Sequence, residues 1–240
     1  MKENNPFNFF LINIASFFLL CILLFGSFSL IFNYKGAYYS EYEKNNVYEN
    51  VVKLKNMNIA ESREYVKNVT DNIFKFFKNK EDLKYFSEEE KSHMKDVKFV
   101  VSSIKFIYYI STILFITLFF IIYFLSNKNK ILFMENLYKI IIYGSSASFI
   151  LLIIIFLWAV FSFDTLFLFM HLILFPQGNW MFPEGSLLIT LFPEQFFFDM
   201  ALRMFVYAIF QSVIFFIIGY WLRKQVKLTK SIHKNNWINR

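Results

Sequence analysis

Two histidines are the side chains best suited to move protons. His171 sits inside Leu166–Phe175, LFLFMHLILF, with five apolar residues before it and four after. A charged ring is costly to bury in such a run. Burial therefore keeps His171 neutral, the form a general base needs. The same placement also suits a core histidine satisfied by a backbone carbonyl. His93 lies in Ser92-His93-Met94-Lys95-Asp96-Val97. On a helix Asp96 and Val97, three and four residues on, share its face. Taken alone, that spacing also describes a surface histidine beside an ordinary acid. Asp199 and Arg203 stand i,i+4 with the acid first, the favourable order for an ion pair. Such a pair either anchors a helix end or supplies a catalytic cation. Trp180 suits an interfacial aromatic belt. Glu184 and Glu194 each follow a proline and suit helix starts or a polar site. The chain has no glycine-rich phosphate loop, no HExxH and no Gly-x-Ser-x-Gly elbow.

Composition says what must hold these groups. Of 240 residues, 57% are apolar, 22% aromatic and only 18% charged, with 35 Phe. Soluble domains carry about 25% charged residues. A soluble core of this length cannot hide so much apolar side chain, so an ordinary soluble enzyme is excluded, as is disorder. One cysteine, Cys21, excludes an internal disulfide framework and any multi-Cys metal site. It reads as a small buried hydrophobe. The formal charge of +7 reads as cytoplasmic edges of a membrane protein, not nucleic-acid binding.

Four charge-free runs follow: Phe7–Phe32, Phe106–Leu125, Ile140–Phe163 and Met204–Leu222. A span needs about 20 apolar residues, so each predicts a transmembrane helix. The first is too long for a signal-peptide core, and Leu20 before Cys21 argues against a lipidation site. The expected order is TM1 at about 7–32, an extracellular helical cap at 33–105, TM2 at about 104–125 and a cytoplasmic loop at 126–136. TM3 at about 138–162, an outer re-entrant segment at 163–199, TM4 at about 200–222 and a basic tail at 223–240 complete it. Orientation follows the Lys and Arg flanks. Lys128, Lys130 and Lys139 border the loop, and Arg223, Lys224, Lys227, Lys230, Lys234 and Arg240 fill the tail, which also holds a solvated His233. The segment Asp164–Asp199 has four acids and no base. Both termini are thus expected in the cytoplasm.

The cap, with 14 basic and 12 acidic residues over 33–105, is solvated but periodic. Val66, Val69, Ile73 and Phe76 or Phe77 form one helical stripe, which Ser62 could cap. Ser87 and Glu90 read as a capping box. No Gly or Pro occurs from Ser87 to Leu125, so one long helix should start there and run into TM2. The 163–199 segment is too apolar for a solvated loop, and three of the chain's four prolines break it. Irregular backbone at membrane depth is tolerated only against protein or a cavity, which hints at a site. Asn13 and Gln211, inside spans, suit hydrogen bonds between helices. No charged residue lies deep in a span, so a transport pathway is poorly supported.

The stretch Ser92-His93-Met94-Lys95-Asp96-Val97 resembles the HMxDV signature of the lipoprotein intramolecular transacylases, the Lit family. Phe169-Met170-His171 through Asn179-Trp180 to Leu191-Phe192-Pro193-Glu194 and Phe197-Phe198-Asp199 resembles that family's second signature. The resemblance covers essentially the whole chain. It implies an all-α membrane protein of the bacterial cell membrane, with four transmembrane helices, a helical extracellular cap and a re-entrant or interfacial outer segment. The implied activity moves the sn-2 acyl chain of a lipoprotein's diacylglyceryl-cysteine onto the α-amino group of that cysteine. The implied catalytic residues are His93 and His171, acting at the outer leaflet, with Asp96, Trp180 and Arg203 as supporting, oxyanion or substrate-positioning candidates. Partners are diacylglyceryl lipoproteins and membrane lipid, not nucleic acid. No cofactor or metal is expected. The chemistry agrees with the residues: the amine is its own nucleophile, and a histidine can take its proton and return one to the glyceryl oxygen. A non-catalytic assembly subunit and a lipid acyl hydrolase are the rival classes.

Overall fold

The computed structural model describes residues 6–238, with side chains through residue 232. Lys2 and Arg240, and the side chains of His233 and Lys234, lie outside this description. Among the described residues there is no strand. The helices run in the order α1 (Pro6–Asn33), α2 (Lys35–Lys44), α3 (Val47–Lys55), α4 (Ile59–Phe77), α5 (Glu88–Leu125), α6 (Lys130–Phe161), α7 (Phe163–Leu174), α8 (Leu187–Leu191) and α9 (Glu194–Ile238). Four of them, α1, α5, α6 and α9, are long and apolar enough to cross a membrane. The chain divides into two compact units.

The first unit comprises residues 1–30, 104–156 and 204–240 and contains the apolar lengths of the four long helices. Leu11, Ile12, Ala15, Ile122 and Ile140 form one buried cluster, backed by Phe115, Leu118 and Phe133. Small residues allow close approach, as in membrane helix packing. A Cβ on Gly144 would lie 2.8 Å from the Ser16 carbonyl oxygen. Two interhelical hydrogen bonds are buried. Asn8 Nδ2 donates to Asn136 Oδ1 at 3.0 Å, and Ser212 Oγ donates to Ser148 Oγ at 3.0 Å. The expectation for Asn13 fails, because its side chain donates to Phe9 O of its own helix at 2.8 Å. That bond costs nothing in register, since the i−4 carbonyl is always within reach. Gln211 is half-buried, and among the described residues it has no hydrogen bond to another helix. Cys21 is buried. Outside the cluster, large apolar side chains such as Phe106, Phe124, Phe210 and Ile217 face outward, as spans facing lipid require.

The second unit comprises residues 31–103 and 157–203. Its core is aromatic. Tyr42 is fully buried, stacked on Phe196 at 5.8 Å between centroids. The α4 stripe is buried as the spacing predicts, through Val66, Val69, Ile73 and Phe76, with Phe77 only half-buried. Its cap differs from expectation. Asn58 and Glu61 form a reciprocal capping box at 2.9 and 3.0 Å. Ser62 lies one turn inside, buried, and donates to Tyr48 O at 2.7 Å. Asn58 wins because the helix starts earlier than its apolar stripe suggests.

At the start of α5 the Ser87–Glu90 box is present: Ser87 N donates to Glu90 Oε2 at 2.8 Å and Glu90 N donates to Ser87 Oγ at 3.2 Å. Glu90 is buried, and its other oxygen accepts from Leu188 N at 2.8 Å. One carboxylate therefore starts α5 and holds the first turn of α8. No glycine occurs between Gly36 and Gly144. The left-handed turns in that stretch fall on Asn46, Asn56, Asn79, Asn127 and Lys128. Asparagine tolerates this conformation better than other side chains.

Candidate active site

His93 sits on α5 one turn beyond the buried Glu90. The capping box fixes where α5 starts, and so fixes which way residue 93 faces. The imidazole is buried, 7% exposed. Rings from the chain after α7 enclose it: Phe175 at 4.7 Å and Phe182 at 5.6 Å between centroids, both edge-on. Nδ1 of His93 has no hydrogen-bond partner among the described residues.

His171 comes from α7 and is also 7% exposed. Its Nδ1 lies 2.8 Å from Phe167 O, one turn back on the same helix. A carbonyl can only accept, so Nδ1 carries the hydrogen. In the neutral ring the lone pair is then on Nε2. Phe167 lies against the ring at 4.1 Å, Trp180 at 4.8 Å and Phe175 at 5.5 Å. The two imidazoles are nearly parallel, at 19° and 6.5 Å between centroids. Neither hydrogen-bonds the other, so a proton moved from one to the other passes through whatever lies between.

Both histidines lie outside the four apolar spans, and both are held below the ordinary imidazole range. Burial pushes His93 down to about 4. His171 pushes it the same way, while Asp96 and the Asn179 side chain oppose the shift. Burial also lowers His171, against a raising effect of the Phe167 carbonyl. Desolvation disfavours the charged ring, so both are neutral at pH 7.

Asp96, half-buried and one turn after His93, reaches across to the chain following α7. Its Oδ2 accepts from Gln177 Nε2 at 2.8 Å and from Asn179 Nδ2 at 2.6 Å. Gln177 Nε2 also lies 3.2 Å from Asn179 Oδ1. Gly178 between them has φ +77°, a conformation costly for any side chain. That turn lets both flanking amides meet one carboxylate. The clamp holds in place the segment that delivers Phe175, Trp180 and Phe182.

Of the candidates named from the sequence, the structure brings together His93, His171, Asp96 and Trp180. Trp180 faces His171, not a solvent boundary alone. Arg203 is placed otherwise. Its Nε donates to Glu41 Oε1 at 2.6 Å and its Nη2 to Ser40 Oγ at 2.9 Å. The i,i+4 pair with Asp199 does not form. Asp199, buried, takes Lys44 Nζ at 2.6 Å and Gln195 Nε2 at 3.1 Å. Lys44 and Glu41, both on α2, outcompete the local pair, because the carboxylates of Glu41 and Asp199 are buried and must be matched. Glu194 opens α9, and Glu184 lies exposed in the turn before α8. Sequence reasoning missed Glu41, Gln177 and Asn179, and it missed the second contact of Glu90, to the Leu188 amide. Glu90 carried a signal as the partner of Ser87 in the capping box, and Gln177 and Asn179 lie within the second signature.

Comparison with solved structures finds the membrane-integral lipoprotein intramolecular transacylase Lit from Bacillus cereus. That structure is 21% identical, with a TM-score of 0.75 over 92% of this chain and 98% of that one. A variant of the same protein with one histidine replaced by arginine gives a TM-score of 0.71 at 20% identity, over 93% and 95%. Its alanine counterpart gives 0.71 at 20%, over 92% and 96%. Comparison with curated proteins finds no match. The sequence model of the lipoprotein intramolecular transacylase Lit family matches residues 12–197. With that match over most of its length, and the fold to accompany it, the chain belongs to the Lit family of lipoprotein intramolecular transacylases, membrane acyltransferases.

Proposed function

We propose that His93 and His171 carry out an O-to-N acyl shift within one diacylglyceryl-cysteine lipoprotein. The observation that carries this reading is the pair of buried, neutral, near-parallel imidazoles 6.5 Å apart in a ring of aromatic side chains. The α-amino nitrogen of the modified cysteine attacks the sn-2 ester carbonyl. The new bond is N–C, and the bond that breaks is carbonyl C–O of the glyceryl ester. One proton leaves the amine and one arrives on the departing glyceryl oxygen, so no outside reagent is needed. An α-amine has a pKa of about 8, so a neutral imidazole nearby is needed to take its proton. Nε2 of His171 is the available base, and His93 serves the second transfer. Amine and ester belong to one molecule, so holding them together supplies much of the rate. Trp180 lines the acyl path, and Asp96 holds the surrounding segment. Arg203, committed to Glu41, supports the fold around the site.

The reaction would take place at the outer leaflet, with both termini in the cytoplasm and lipid bathing the spans. The basic tail and 126–136 loop against the base-free 164–199 segment support that orientation.

The test is mass spectrometry of the N-terminal lipopeptide from a reporter lipoprotein. The host is a bacterium lacking other N-acylating enzymes, carrying this chain or its His171→Ala variant. The expected product keeps its total acyl mass with one chain on the amine, and the variant loses it. A diacylglyceryl peptide with a free amine, despite good expression of this chain, would refute the reading.

A further inference from the structure

We infer that Phe175 is a specificity-determining residue, an aromatic plug that keeps water from the two imidazoles so that the acyl chain goes to the amine. The inference rests on the acyl-transfer reading above and deepens it. Four rings wall the histidine pair. Phe182 lies against His93, and Phe167 and Trp180 lie against His171. Phe175 lies against both, 4.7 Å from His93 and 5.5 Å from His171 between centroids. The other three residues are half-buried, whereas Phe175 is 4% exposed. Its backbone nevertheless starts a surface turn. Phe175 N donates to His171 O at 2.8 Å, closing α7, and Phe175 O accepts from Gly178 N at 3.0 Å, closing the turn. Pro176, Gln177 and Gly178 are exposed, and a Cβ on Gly178 would meet nothing within 4 Å. Asp96, holding Gln177 and Asn179, pins this turn to α5. The ring of Phe175 thus reaches inward from an exposed turn and separates the histidine pair from the open space there.

The pair needs such a shield because a neutral imidazole beside a glyceryl ester activates whichever nucleophile arrives. Water would add its oxygen to the sn-2 carbonyl carbon, and the bond from that carbon to the glyceryl oxygen would break. One water proton would pass through an imidazole to the glyceryl oxygen. The products would be a free fatty acid and a lyso lipoprotein whose amine is unmodified. A void opened at Phe175 would not stay dry. Apolar cavities stay empty, but one with polar partners and about 30 Å³ per molecule takes up water. Loss of the phenyl ring supplies the room. Nδ1 of His93, buried and without a partner among the described residues, supplies one polar contact. The lone pair on Nε2 of His171 supplies a second. Water bound there would sit on the proposed bases themselves.

The test uses the full chain in detergent micelles, water enriched in 18O and two diacylglyceryl lipopeptides. One has a free amine, and in the other the amine is acetylated. The acetylated peptide has no nucleophile of its own, so only water can take its sn-2 chain. Wild type should N-acylate the free peptide and leave the acetylated one intact. Phe175→Ala should release from the acetylated peptide a fatty acid carrying 18O, about 10²-fold faster than wild type, the lower end of what a positioned base supplies. Phe182→Ala, which leaves Phe175 in place, should release much less. Equal release from Phe182→Ala overturns the inference. So does an acetylated peptide left intact by a Phe175 variant that still N-acylates the free one. Phe175→Leu decides the matter if Phe175→Ala does not fold. It should release fatty acid at an intermediate rate, and N-acyl product without fatty acid, or neither product, counts against the plug. The two readings fail separately. A wild-type chain that makes no N-acyl product removes the transacylase reading, whereas N-acyl product with no hydrolysis in either Phe175 variant removes only the role of Phe175.

Discussion

The guanidinium of Arg203 closes on a carboxylate oxygen of Glu41, with Nη2 at 2.5 Å and Nε at 2.6 Å. The two residues are 162 positions apart, and Glu41 is 1% exposed. Removing one partner of a buried pair strands the other charge, at about 3–5 kcal/mol. Arg203→Met alone should therefore lower stability by that order. The double variant with Glu41→Met should be milder than Arg203→Met. Thermal unfolding of the three purified proteins in micelles checks this. Arg203→Lys should keep the acyl-transfer product, which an oxyanion role for the guanidinium would forbid.

On the proposed mechanism His93 and His171 act on one substrate between them. Their losses should not add. His93→Ala and His171→Ala should each reduce transfer about 10²–10⁴-fold. The double variant should be little worse than the poorer single one, because residues working as a unit are grossly non-additive. Initial rates on a diacylglyceryl lipopeptide decide it. A double loss equal to the product of the singles would mean independent roles.

The lowered pKa of His93, about 4, makes a signed prediction about stability. An unfolded histidine titrates near 6.5. Between these values the unfolded chain binds more protons than the folded one, so stability rises with pH. The unfolding temperature should thus fall as pH drops from 6.5 to 4. His93→Gln should flatten that slope, with the residual slope due to other groups, His171 among them. An identical slope in the variant would contradict the burial of His93 as a neutral ring.

Glu90 accepts two backbone N–H groups, from Ser87 and Leu188, while buried. Glu90→Ala leaves both donors unmatched and should cost about 2–4 kcal/mol. Glu90→Gln retains one acceptor oxygen and should cost less. Thermal midpoints give the ranking, and equal losses in both variants would argue against the clamp.

The parts of this structure legible in the sequence are those written in local pattern. The four spans follow from charge-free length, and the start of α5 from Ser87 and Glu90 at i,i+3. The α4 stripe follows from Val66, Val69 and Ile73 at helical spacing. His171 stood out because it is the one polar residue in ten. What was not legible depends on partners brought from afar. Asp199 and Arg203 have the spacing of a pair, yet each takes a partner on α2 instead, Lys44 and Glu41, and spacing says nothing of that competition. Gln177 and Asn179 look like turn residues until Asp96, 81 and 83 positions away, is placed against them. The Ser62 cap failed for a smaller reason: Asn58 supplies the same bond one turn earlier.

The second unit is assembled from two stretches, 31–103 and 157–203, with residues 104–156 belonging to the first unit between them. This has a consequence for synthesis. When the ribosome has made the first stretch, Glu41 and Glu90 are already present, but Arg203 and the Leu188 amide are not. Neither carboxylate can be buried at that stage, so the early stretch must wait, partly open, while more than fifty further residues are made. Folding of this unit is set by completion of the chain, not by the order of its helices. A nascent chain stopped after α6 lacks residues 162–203, about a third of this unit, including Phe196, which stacks on Tyr42.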